Sequence, residues 1–117
     1  MIGVLVAIKS TIVLYIGIVY NIIGVNWMAL DFTLDAYENL LSSLDSNNLI
    51  SVEDYFKRNS EEPFIILRHD VDKSPSRALR MAHLENKMGV RSTYYFRCIE
   101  NEFPKKEILD IRGLGHE

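Results

Sequence analysis

An α/β fold built on a parallel sheet is what this 117-residue sequence predicts, on three observations. A short apolar run, Phe64-Ile65-Ile66-Leu67, is bounded by charge and is too brief for a helix, so it reads as a buried strand. A helical pattern follows, and then a β-branched and aromatic run from Val90 to Phe96. A further helix is expected over Lys105 to Ile111, ending at Gly113. Strand, helix, strand, helix in succession is the order that right-handed parallel crossovers produce.

Residues 1–30 differ from the rest. Lys9 is their only charged side chain, and all sixteen acidic residues lie from Asp31 onward. Thr11 to Leu30 approaches the ~20 apolar residues that span a hydrocarbon core, with Trp27 in an interfacial position, so an apolar helix crossing a membrane is expected. A secretory signal fits less well, because the apolar run is long and lacks a small-x-small cleavage pattern. A third reading makes the leader a spurious extension, since Met28 opens a soluble-looking start. The location follows from that choice: membrane if the leader is native, cytoplasm otherwise. Gly17 and Gly24 are seven apart and supply no helix-dimer motif.

Residues 31–63 form a helical lead-in. Leu34, Tyr37, Leu41 and Leu44 recur at helical spacing, which predicts an amphipathic helix over 33–45. Asp45 to Asn48 is a turn cluster, and Ser51-Val52-Glu53-Asp54 has the order of a capping box opening a short helix. Past the strand, Ser74 and Pro75 stand as N-cap and first helical residue, and Gly89 stops the helix after Met88. Its apolar face is Ala78, Met81, Ala82, Leu84 and Met88, which leaves Arg77, Arg80, Glu85 and Lys87 toward water. Tyr94 and Tyr95 alternate faces on the second strand, so one is expected in the core and the other packed beneath helices, and His83 is expected to be exposed.

The net charge of −3 and the lack of a basic stripe exclude a nucleic-acid partner. Cys98 is alone, so no disulfide framework exists, and a small buried residue is its expected role.

The chemistry concentrates at Arg68-His69-Asp70-Val71-Asp72. Two carboxylates one residue apart follow a strand, the place where α/β sheets put reactive groups. Taken alone the pair fits several readings. A haloacid-dehalogenase-like phosphatase places two Asp after a strand, although Arg68 and His69 interrupt the apolar run it needs. The two could also merely cap the loop before the Pro75 helix. His69, within a strand, could orient the Asp pair or point away and pair with a carboxylate.

A wider pattern favours one reading. Leu67 to Asp72, Ser74-Pro75, Ala78-Leu79, Met81-Ala82, Leu84-Glu85, Gly89-Val90, Ser92 to Arg97 and Leu114-Gly115-His116-Glu117 together resemble the polysaccharide deacetylase family. These are carbohydrate esterases of the chitin-oligosaccharide deacetylase type. The resemblance makes residues 64–117 a partial polysaccharide deacetylase-like domain, the N-terminal part of a distorted (β/α) barrel, preceded by the apolar helix. It implies a hydrolase removing acetyl groups from N-acetyl sugars, with a carbohydrate substrate and a divalent metal, usually zinc. The family holds its metal with one Asp and two His of a His-x-x-x-His motif. By resemblance Asp70 is the catalytic base, and Asp72 and His116 are metal ligands. The family's usual motif has adjacent carboxylates whereas Val71 separates these, so the exchanged roles of Asp70 and Asp72 also stand. A metal with open positions makes bound water nucleophilic near neutral pH. The second histidine falls four positions after His116, beyond Glu117, so the expectation is an N-terminal fragment, inactive by itself. The alternative from another class is a small membrane-tethered protein with a structural or interaction role.

Overall fold

The computed structural model describes residues 2–8, 12–16, 33–97 and 103–117. Their elements are β1 (Ile2–Ile8), β2 (Ile12–Ile16), α1 (Leu34–Ser43), β3 (Leu49–Ile50), α2 (Val52–Lys57), β4 (Ile65–Val71), α3 (Pro75–Lys87), β5 (Thr93–Phe96) and α4 (Lys105–Gly113). The molecule is mixed α/β, as expected, and β4 is its centre. Leu49 and Ile50 of β3 pair in parallel with Ile65 and Ile66, and Arg68 to Val71 pair in parallel with Thr93 to Phe96 of β5. β1 runs antiparallel along the whole of β4, and β2 pairs antiparallel with β1. Among the described residues the sheet does not close into a barrel.

One expectation is corrected at the N-terminus. Residues 12–16, placed by the sequence in an apolar helix over 11–30, form a strand, and residues 17–30 lie outside the described residues. Ile2, Val4, Val6, Ile8, Ile12, Val13 and Ile16 are β-branched, which favours extended backbone. β1 also supplies hydrogen-bond partners to β4, whose backbone would otherwise stay open along that edge. Among the described residues no helix is long and apolar enough to cross a membrane. Cys98 also lies outside them.

The helix boundaries follow their local signals. Thr33 caps α1 by accepting the Ala36 N–H at 3.2 Å, and the Ser51–Asp54 capping box forms in full at α2. Pro75 opens α3, although Ser74 makes no side-chain cap bond. Gly89 ends α3 with φ of +72°, a left-handed conformation that costs glycine nothing. α4 ends at Gly113, as expected, and Gly115 turns the chain at φ +95°.

The helix-facing side of β4 is set by alternation: Leu67, His69 and Val71 are buried, whereas Ile66, Arg68 and Asp70 on the other side are only partly covered. Leu67 packs with Leu41, Leu49 and Val90, while Val71 packs with Ala78, Ala82, Tyr94 and Ile111. The two alanines bring α3 close to the sheet.

Candidate functional site

β4 carries its chemistry on both faces, and the two sets of residues differ in kind. On the helix side lies a buried polar cluster around Glu85 of α3, which is fully buried. Its carboxylate accepts from Tyr37 Oη at 2.5 Å and His69 Nε2 at 2.6 Å on Oε1. Oε2 accepts from Ser92 Oγ at 2.5 Å and Tyr94 Oη at 2.8 Å. Four donors fill the carboxylate's acceptor positions, so a charge that would be costly in an apolar core is satisfied there. The donors come from α1, β4, β5 and the turn before β5, so a single side chain ties four segments together.

The electrostatics follow from this geometry. Burial would raise the Glu85 carboxyl, but the facing His69, together with hydrogen bonds from His69, Ser92 and Tyr37, holds it down to about 2. Burial and then the neighbouring Glu85 charge push the Tyr37 and Tyr94 hydroxyls far above the ordinary phenol value. Both therefore stay protonated donors. His69 lies tilted against the Tyr94 ring, centroids 4.5 Å apart, and its Nδ1 is buried with no partner among the described residues.

The sequence placed Glu85 toward water, and the structure corrects this. Position 85 lies on the α3 surface that meets β4, one turn from Ala82, and the paired donors let a carboxylate occupy it. Of the two uses left open for His69, the structure has it pairing with a carboxylate, that of Glu85. The signal in the sequence was a histidine inside an apolar strand, which requires a buried partner. Tyr94 is the buried tyrosine; Tyr95 is exposed rather than packed beneath helices, a correction, and His83 is exposed as expected.

The predicted site residues are not gathered into one place. Asp70 points away from the helices, where Arg68 Nη2 and Nε both donate to its Oδ1 at 2.9 and 3.1 Å. The Arg68 guanidinium lies 4.5 Å from the centre of the exposed Tyr95 ring. Asp72, just past the strand, is exposed and borders a small cavity of about 70 Å³ with Lys73 and Arg97. His116 is only 4 % exposed, and it sits on the opposite, Glu85 side of the sheet. Its Nδ1 accepts the Ser92 backbone N–H at 3.2 Å, and its Nε2–H donates to the Ala82 carbonyl at 2.9 Å. Nδ1 also lies 3.7 Å from Glu85 Oε2. It borders a larger cleft of about 570 Å³ with Glu53, Arg91, Phe96, Ile108 and Arg112.

A zinc ion held by Asp72 and His116 does not fit this arrangement. Both nitrogens of His116 are occupied, Nε2 by the Ala82 carbonyl and Nδ1 by the Ser92 N–H and hydroxyl, and Asp70 is turned to Arg68. No group of three or more His, Cys, Asp or Glu side chains among the described residues is placed to hold a metal. No family model, curated protein or solved structure matches this chain.

Proposed function

We propose that residues 64–117 carry the first strands of a deacetylase-like hydrolase domain acting on N-acetyl sugars, and that the 117-residue chain by itself is catalytically silent. The observation carrying this reading is the position of Asp70 and Asp72 at the carboxyl end of a central parallel strand, followed at once by a crossover helix. α/β enzymes place their reacting groups at such strand ends. Asp70 lies clear of the packed helices, with Arg68 to orient it. Among the described residues three strands pair in parallel, against about eight in a closed barrel.

The inward position of His116 favours a second reading, in which this unit is a folded module without chemistry. Sequencing the gene past the codon for Glu117 and expressing the extended chain separates the two. On the hydrolase reading, a second histidine is encoded four positions after His116, and the extended protein releases acetate from acetylated chitooligosaccharide in zinc-containing buffer. Asp70→Asn abolishes that release, and the 117-residue chain gives none. An unrelated continuation, or turnover by the 117-residue chain above its Asp70→Asn variant, overturns the reading.

A further inference from the structure

We propose that His116 is a structural latch in this chain, fastening the C-terminal turn to α3 and β5 through both ring nitrogens, and that it does not serve as a metal ligand. A neutral imidazole has one N–H and one lone pair. Here the N–H is on Nε2, because it meets the Ala82 carbonyl, and the lone pair is on Nδ1, because it meets the Ser92 N–H; Ser92 Oγ, 3.1 Å from Nδ1, gives its own proton to Glu85. The only nitrogen able to bind a cation is therefore already in use. The ring is further held edge-on against Tyr94, centroids 5.5 Å apart at 73°.

Moving His116 to the face that holds Asp70 would take from the buried Ser92 N–H its partner, at about 1–3 kcal/mol, whereas the Ala82 carbonyl, inside α3, would keep its helical bond.

The latch has a structural product. Beside it, the Glu117 N–H donates to the Ser92 carbonyl at 3.1 Å, and the Glu117 carbonyl accepts the Tyr94 N–H at 2.8 Å. These two bonds flank Thr93 and constitute one rung of a parallel ladder on the outer edge of β5. The turn is held from the other side as well. Arg91 Nε donates to the Gly115 carbonyl at 3.0 Å, and Glu117 Oε2 accepts the Glu53 N–H at 2.6 Å. The His116 bonds are buried, whereas those made by Arg91 and by the Glu117 carboxylate are exposed.

Nitrogen-15 spectroscopy of the histidine rings in the full 117-residue chain tests the latch, with His116→Ala serving to assign the signal. The expected result is a pure Nε2–H tautomer at His116 whose nitrogen resonances do not move when zinc chloride is added in excess. A zinc-dependent displacement of either His116 nitrogen overturns the proposal. A second reading uses amide exchange. In His116→Ala the Tyr94 amide should exchange about tenfold faster or more, as the loss of two buried hydrogen bonds requires. Unchanged protection of that amide overturns the latch as well. If His116→Ala does not fold, the zinc titration of the unaltered chain still decides. The hydrolase reading is judged separately, by acetate release from the extended chain.

Discussion

His69 and Glu85 form a fully buried pair, Nε2 to Oε1 at 2.6 Å, that joins the central strand to the helix crossing over it. Tyr37, Ser92 and Tyr94 complete the coordination of the same carboxylate, so strand, crossover helix and the following strand share one polar joint. Because α1, β4, β5 and the turn before β5 are all joined at Glu85, substitutions in this joint should be costly.

Glu85→Gln removes the charge and leaves His69 and three hydroxyls facing a group that can no longer accept from all of them. Breaking one side of a buried pair costs about 3–5 kcal/mol. Urea denaturation of the variant should show a loss of that order, or no cooperative transition. A loss below about 1 kcal/mol would mean that the carboxylate is not buried as described.

Acid should weaken the fold through the same residue. The folded-state carboxyl is held to about 2, against an ordinary value of 4.5. A depressed carboxyl stabilises the fold above its unfolded value, and that contribution is lost as pH falls. The urea midpoint should therefore drop between about pH 4.5 and 2, and Glu85→Gln should flatten this part of the profile. Parallel profiles for the two proteins would refute the assignment.

Tyr37→Phe and Tyr94→Phe each delete one donor to Glu85 while keeping the ring. A hydrogen bond to a charged group contributes about 1.5–3 kcal/mol. Each variant should lose stability in that range by chemical denaturation. The double variant should depart from additivity, since both hydroxyls serve one carboxylate.

Asp70→Asn should behave in the opposite way. Its pair with Arg68 is about one-third exposed on both sides, and such pairs contribute about 0–1 kcal/mol. Thermal denaturation should barely distinguish Asp70→Asn from the parent chain. A large loss would indicate that Asp70 is a structural residue and would remove it as a catalytic candidate.

The contrast between these residues explains what could be read from the sequence. Thr33, the Ser51–Asp54 box, Pro75 and Gly89 act over one turn of chain, so their effects were visible in local spacing. The parallel pairing of β4 and β5 followed from element order. The two residues of β3, Leu49 and Ile50, are too few to show a period. Glu85 was assigned to solvent by its charge, because its partners lie 48, 16, 7 and 9 positions away along the chain. Apolar length suggests a helix over residues 12–16, but their β-branched content and the free edge of β1 favour a strand. The site was legible to the same extent: Asp70 and Asp72 stand at a strand end as the spacing implied, while the inward turn of His116 depends on Ser92 and Ala82, which carry no signal in sequence.

On the proposed reading, Asp70, Asp72 and His116 do not share a cation in this chain. Equilibrium dialysis of the metal-free 117-residue protein against zinc tests it most directly. The predicted result is no stoichiometric uptake. One zinc bound per chain, lost alike in Asp72→Asn and His116→Ala, would contradict it.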